Sequence, residues 1–250
     1  MTGSDNTFIF ITPMFNASKT LDQCLASLVG QSYKNWKIIL IDDVSSDAEI
    51  MKESEIISRW RPMCHSGGRQ IVDLWNDTKQ WEVANVIHGV SMCAYNDIIC
   101  RLDADDFLCD LDALRIINDV YKQTGCDCLW TAHRWFDDRQ VTMQNISGPL
   151  PPGADPYKTP WCSSHFKTFR KHLLNGVKDG NFRGKDGEYF KRIGDQALML
   201  PALKNSKKYF YLPLVTYSYR CDMSPETFQT ADAKFQHDEA VFLRQRGYIE

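Results

Sequence analysis

The sequence predicts an α/β fold, a Rossmann-like, mainly parallel sheet flanked by helices. Three observations predict it. Short apolar runs alternate with segments whose apolar residues recur at three- and four-residue spacing, the pattern of strand–helix–strand units. The runs are brief and bounded by turn or acidic residues, as buried strands are. Two of them end in grouped aspartates, at the carboxyl ends of strands where such sheets place their ligands.

Phe8-Ile9-Phe10-Ile11, ended by Thr12-Pro13, is the first strand, and Trp36-Lys37-Ile38-Ile39-Leu40-Ile41, ended by Asp42-Asp43, is the second. Between them Leu21, Cys24, Leu25, Leu28 and Val29 share a helical face behind Ser18, a residue able to cap the helix. Ile56, Ile57 and Trp60 suit a second helix, Gln70-Ile71-Val72-Asp73-Leu74 a third strand, and Val83, Val86, Ile87, Val90 and Ala94 a third helix. Ile98-Ile99-Cys100-Arg101-Leu102 is a fourth strand that runs into Asp103. Right-handed crossovers between such strands make the sheet parallel. Beyond residue 108 the alternation loosens. A helix over 111–121 and a strand near Cys128-Leu129-Trp130 precede a loop at Gly148-Pro149-Leu150-Pro151-Pro152-Gly153. Helical patterns follow over 164–174 and 195–203, then a strand over 209–219 and a polar helix over 231–244.

A chain of 250 residues that is 43% hydrophobic has the material for a sizeable core. Its 29 Lys+Arg against 32 Asp+Glu leave a net charge of −3, which argues against general binding to nucleic acid or anionic membrane. No apolar run approaches the roughly 20 residues of a spanning helix. The polar start Met1-Thr2-Gly3-Ser4-Asp5-Asn6 lacks a basic-then-apolar leader, so a cytoplasmic location is expected. Nine cysteines, an odd number in a chain too long to need disulfides, read as reduced and mostly buried thiols.

Chemistry is concentrated in two acidic segments. Asp103-Ala104-Asp105-Asp106 follows the fourth strand, and acids this close repel unless a cation or solvent relieves them. Carboxylates two apart at a strand–loop junction can hold Mg²⁺ or Mn²⁺, leaving further positions to water and phosphate oxygens. An acidic turn with helix-capping aspartates is the alternative. Asp42-Asp43, followed by Val44-Ser45-Ser46-Asp47, falls on the same sheet edge, beside Pro13-Met14-Phe15-Asn16. Capping of the next helix by Asp43 or Ser45 is the alternative there.

In order and spacing, Pro13-Met14-Phe15-Asn16, Gln31-Ser32-Tyr33, Ile41-Asp42-Asp43-Val44-Ser45-Ser46-Asp47 and Leu102-Asp103-Ala104-Asp105-Asp106 resemble family 2 of the nucleotide-sugar glycosyltransferases, inverting enzymes of the GT-A fold. Ser164-His165-Phe166-Lys167-Thr168-Phe169-Arg170 and Ile193-Gly194-Asp195-Gln196-Ala197-Leu198 extend the resemblance more weakly. It implies a nucleotide-sugar-binding half, residues 1–108, and an acceptor-binding half, residues 109–250, of one GT-A domain. It implies Pro13, Phe15 and Asp43, with Asp42 adjacent, around a nucleoside that is usually uridine. Asp103 and Asp105 would form the D-x-D pair, Asp103 toward the ribose or metal-bound water and Asp105 as a direct ligand of Mn²⁺ or Mg²⁺ on the diphosphate. Asp195 would be the base that takes the proton of the acceptor hydroxyl, with a plain N-cap as the alternative, and His165 would lie near the diphosphate or acceptor, or serve structure. The implied activity is metal-dependent, inverting transfer of a sugar from a UDP-sugar to a hydroxyl of a glycan or other acceptor.

Some features depart from that pattern or leave it open. The family's Ala-Arg-Asn is represented only by Ala84-Asn85, which puts an arginine contact to the donor in doubt, whereas Met14 and Val44 replace residues that vary. The stretch 167–192 carries Lys167, Arg170, Lys171, Lys178, Arg183, Lys185, Lys191 and Arg192, a basic concentration that an anionic acceptor or nucleic acid could meet, or a solvated surface. A hydroxylated DNA base as acceptor is the variant it permits and the net charge disfavours. Trp130, Trp135, Trp161 and Tyr157 are candidates for stacking on sugars or for the core. A sugar-phosphate nucleotidyltransferase is disfavoured because Pro13-Met14-Phe15-Asn16 has no glycine, and a non-catalytic binding protein of the same fold remains the other alternative.

Overall fold

The computed structural model describes residues 5–64, 68–137, 140–221 and 230–250; residues 1–4 of the polar start lie outside the described residues. The first half alternates as its sequence predicts: β1 (Phe8–Met14), α1 (Leu21–Val29), β2 (Trp36–Asp42), α2 (Asp47–Cys64), β3 (Gln70–Trp75), α3 (Trp81–Ser91) and β4 (Ile98–Arg101). β1 pairs in parallel with both β2 and β4, and β2 with β3. Successive side chains leave opposite faces of a strand. Phe8, Phe10, Ile38 and Leu40 therefore enter one core with Leu21, Leu25 and Ile57, while Ile9, Ile11, Ile39 and Ile41 enter a second with Val83 and Val86.

The second half completes the same sheet with β5 (Phe107–Leu108), α4 (Ala113–Thr124), β6 (Cys128–Phe136), β7 (Val141–Thr142), β8 (Lys167–Arg170), α5 (Gly194–Asn205), β9 (Tyr209–Arg220) and α6 (Ala231–Arg246). The strand order is β3-β2-β1-β4-β8-β6-β9-β5, with β7 on β6. β8 is antiparallel to both neighbours, β4 and β6, so the sheet is parallel only in its first half and around β6 and β9.

Two local expectations are corrected. Residues 164–174 are not helical: β8 is followed by a single 3-10 turn, Lys171–Leu174. Phe166, Lys167, Thr168 and Phe169 are all buried, as an inner strand requires, so the recurrence of Phe166, Phe169 and Leu173 reflects burial on two faces and not a helical stripe. Ser18 does not cap α1, whose N-cap is Thr20; the Ser18 N–H donates to Glu49 at 3.2 Å. The two-residue strands β5 and β7 are too short to leave a pattern in the sequence. All nine cysteines are free thiols, as expected. Among the described residues no helix is long and apolar enough to cross a membrane.

Helix α3 approaches the sheet closely at Gly89, where a Cβ would lie 2.7 Å from Ile11 Cγ2. Alanine there gains roughly 1 kcal/mol of helix propensity but overpacks the contact, at a cost of about 1–3 kcal/mol. Gly89→Ala is expected to lower the midpoint of urea denaturation, and an unchanged or raised midpoint would contradict this packing.

Candidate active site

The loops after β1 and β2 are laced together by hydrogen bonds. Asp43 N–H donates to Met14 O at 2.9 Å, Asn16 N–H to Ser45 Oγ at 2.7 Å, and Ser46 N–H to Asn16 Oδ1 at 3.0 Å. Asn16 and Val44 hold φ of 52° and 66°. Asparagine tolerates that left-handed region, but for a β-branched residue it is strained, so Val44 is not the indifferent position its sequence suggests. Asp43 is buried and accepts the N–H groups of Gln80 at 2.7 Å and Trp81 at 2.9 Å, with Asn76 at 3.2 Å. Burial alone would raise its pKa; these donors, led by Gln80, outweigh burial and hold the carboxyl below the usual range. Trp81 is thereby fixed at φ 66°, and Lys79 Nζ sits 3.3 Å from the Phe15 ring and 3.4 Å from Asp43 Oδ2.

Asp42 is the member of the expected set that does not reach this cleft. It is fully buried, and its carboxylate accepts Ser45 N–H at 3.0 Å and Ser45 Oγ–H at 2.5 Å, which spends it on the turn between β2 and α2.

Below the acidic segment lies a buried guanidinium. Arg101 donates to Ile11 O at 2.8 Å, to Glu82 Oε1 at 2.7 Å and to Asp103 Oδ1 at 2.6 Å. Glu82 also accepts the N–H of Gly194, the first residue of α5, at 3.3 Å. A Cβ at position 194 would lie 2.0 Å from Glu82 Oε1, so any larger residue there would displace the Glu82 carboxylate. Loss of hydration, with the Asp103 and Asp195 charges opposing Arg101, pushes Glu82 up to about 7. Asp106 is buried and accepts Tyr217 O–H and Arg220 N–H, both at 2.6 Å, and burial followed by its acidic neighbours raises its pKa well above the carboxylate range.

Asp105 is different. It projects into the cleft, and no other described residue donates a hydrogen bond to its carboxylate. The crowded cleft wall and then the Asp103 charge push its pKa up to about 6. A cation would relieve that opposition. Asp103, Asp106 and His165 also bring ligand-type atoms within 4.8 Å of one another, but both Asp106 oxygens already accept hydrogen bonds. The oxygen donors of Asp103 and Asp105 therefore fit a hard divalent cation such as Mg²⁺ or Mn²⁺.

Across the cleft, Asp195 occupies the first turn of α5, whose N-cap is Ile193. Its carboxylate is not used as a cap: Oδ1 takes an ion pair from buried Lys167 Nζ at 2.5 Å, and Oδ2 lies 3.6 Å from His165 Nε2. Burial, then Lys167, holds His165 well below the ordinary histidine pKa, and the same causes lower neighbouring His133 to about 4.

Two cavities meet here. One, of about 830 Å³, is lined by Pro13, Phe15, Asp43, Trp81, Asp103 and Asp105, among others. The other, of about 1080 Å³, includes Asp103, Asp105, Trp135, Trp161, His165 and Asp195. Glu82, Asp103, Asp105, Arg192 and Arg220 line both. Trp130 and Tyr157 instead belong to the core. The basic stretch does not gather into one face: Lys167 pairs with Asp195, Arg183 with Asp179 and Arg192 with Asp232, and Lys191 and Arg192 are its members on the cleft. Sequence reasoning missed Glu82, Arg101 and Lys167. The signal for Arg101 was a charge inside an apolar strand, two residues before Asp103 and hence on the same side.

The family model described as glycosyl transferase family 2 matches residues 9–178. The chain is 35% identical over 102 residues to the amylovoran biosynthesis glycosyltransferase AmsB of Erwinia amylovora, covering 41% of this chain and 32% of that protein. It is 28% identical over 153 residues to EpsE of Bacillus subtilis, covering 61% and 52% respectively. The chain thus spans about half, or less, of these relatives' lengths. Among solved structures, S. aureus TarS 1-349 in complex with UDP-GlcNAc is similar with a TM-score of 0.66 at 17% identity, covering 90% of this chain and 61% of that one. The mannosyltransferase PcManGT of Pyrobaculum calidifontis, in complex with GDP-Man and Mn²⁺, gives 0.62 at 13%, covering 96% and 64%. The fold is that of the GT-A glycosyltransferases.

Replacing Arg101 by methionine leaves Glu82 and Asp103 without their shared cation. Loss of one partner from a buried pair costs about 3–5 kcal/mol, so Arg101→Met is expected to lower the unfolding free energy by about 3 kcal/mol in urea denaturation. A loss below about 1 kcal/mol, the size of an exposed pair, would contradict the clamp.

Proposed function

The chain belongs to glycosyl transferase family 2, and from that premise we propose that it carries out metal-dependent, inverting transfer of one sugar from a UDP-sugar to a hydroxyl of a glycan acceptor. The observation that carries the reading is the sharing of Asp103 and Asp105 between two cavities, one reached by Phe15 and Asp43 and the other by Asp195. A donor lying in the first would bring its anomeric carbon to the junction, and an acceptor in the second would approach from the Asp195 side. TarS was solved with UDP-GlcNAc and PcManGT with GDP-Man and Mn²⁺, which supports a nucleoside diphosphate sugar and a divalent ion.

In this reading residues 1–108 take the nucleotide and 109–250 the acceptor. Phe15 and Trp81 wall the nucleoside, with Pro13 beside them and Asp43 at its edge. Asp105, with Asp103, would hold the cation, which offsets charge on the departing diphosphate. Arg101 keeps Asp103 oriented. Lys191, Arg192 and Arg220 line the same cavity and add positive charge near the diphosphate. Asp195 accepts the proton of the attacking hydroxyl as the new C–O bond forms at the anomeric carbon and the nucleoside diphosphate leaves with the electron pair of the broken bond. Attack from the side opposite the leaving group inverts the anomeric centre.

Asp105→Ala is expected to abolish Mn²⁺-dependent binding of UDP-GlcNAc or UDP, read by calorimetry or thermal shift. Asp195→Asn should leave that binding intact and reduce turnover by 10²-fold or more, on the order of what a general base supplies. Wild-type turnover in Asp195→Asn would sink the base assignment. Because a ligand carboxylate must be ionised and the Asp105 carboxyl is pushed up to about 6, Mn²⁺ affinity should weaken as pH falls below about 6. Affinity independent of pH between 5 and 7 would contradict the raised Asp105 pKa.

A further inference from the structure

Lys167 is fully buried in an inner strand, a position where an unpaired ammonium is strongly disfavoured. Its neighbours Phe166, Thr168 and Phe169 are buried too, and its register partners are Arg101 on β4 and Trp130 on β6. Two cations at one register position repel, so the fold tolerates Lys167 beside Arg101 only because acids face both. Lys167 makes two contacts with the far side of the cleft: Nζ to Asp195 Oδ1 at 2.5 Å and Nζ to His165 Nδ1 at 3.0 Å. An ammonium only donates, so His165 Nδ1 accepts and the ring carries its proton on Nε2, the atom 3.6 Å from Asp195 Oδ2. The ring cannot swing away, because it is stacked against Tyr217 at 4.7 Å and Tyr219 at 4.8 Å.

We propose that Lys167 is the positioning residue of the base: it grips Asp195 by Oδ1 and fixes His165 as the Nε2–H tautomer, so that Asp195 Oδ2 is the oxygen presented to the acceptor hydroxyl. The inference rests on the reading of Asp195 as base. Lys167 does not line either cavity, so it acts through Asp195 and touches neither donor nor acceptor.

The test uses the full chain with UDP-GlcNAc and Mn²⁺, following UDP release with water as acceptor, and calorimetry for UDP binding. Lys167→Met should lower turnover about 10²-fold, the size of effect expected when a reacting group is misplaced by about an ångström, while UDP affinity stays within about twofold of wild type. In an Asp195→Asn background the same change should cost nothing more, the non-additivity of residues acting as one unit. Turnover near wild type in Lys167→Met, a parallel fall in UDP affinity, or full additivity in the double variant would overturn the proposal. If Asp195→Asn alone keeps its turnover, it is the base reading that fails. ¹⁵N NMR of the histidines reads the same claim without turnover: His165 should be the Nε2–H tautomer in the wild type and lose that preference in Lys167→Met. Lys167→Gln, which keeps a donor on a shorter stem, guards against loss of folding and should retain more of the tautomer preference than methionine. An unchanged His165 signal in both variants would overturn the assignment.

Discussion

Arg101 and Lys167 face each other across β4 and β8, both buried, and Glu82, Asp103 and Asp195 each rest on one or the other. Isolated charges of either sign would be expelled from this depth of the molecule. Together they make a network that holds Glu82, Asp103 and Asp195 on one cavity. The compensation is incomplete, since among the described residues none pairs with the Asp105 carboxylate in this way and its pKa rises to about 6. A site left short of positive charge at one carboxylate suits the divalent ion that the proposed function calls for.

The sheet explains why the two cations meet. β4 is the last strand of the parallel run that begins at β3, and β8 enters beside it in the opposite direction. At that change of direction the carboxyl end of β4 and the amino end of β8 lie on one edge, so Asp103 follows one strand and His165 precedes the other. Helix α3 supplies Glu82 from its first turn, α5 supplies Asp195 from its own, and β9 closes the junction with Tyr217 and Arg220. Strain is concentrated around Asp43, where Val44 and Trp81 both hold a left-handed backbone.

Much of the first half was legible because its signals are local. The runs at Phe8 and Trp36, the helical stripe from Leu21, and the acids after β2 and β4 each declare themselves within a few residues, and sheet topology brings Pro13, Phe15, Asp43, Asp103 and Asp105 to one cavity. Asp42 misled because its role depends on which way its side chain turns: a one-residue step places it behind the sheet edge with Ser45 while Asp43 faces forward. The second half was harder. β8 is only four residues long, and its burial on both faces imitates a helical period. Nothing local distinguishes Lys167 from Lys171 in the basic stretch; its meaning comes from Asp195, distant in sequence and adjacent in space. Glu82 and Gly194 form a similar long-range pair, in which the missing side chain of one makes room for the carboxylate of the other.

The most direct measurement is an anomalous difference map from crystals grown with UDP and Mn²⁺. One manganese peak is expected at the junction of the two cavities, coordinated by Asp105 and by diphosphate oxygens, with Asp103 still held by Arg101 and the Asp195 carboxylate facing it across the cleft. A peak bound instead by Asp106 and His165, or nucleotide bound with no metal near Asp105, would contradict the arrangement of charges from which the chemistry has been derived.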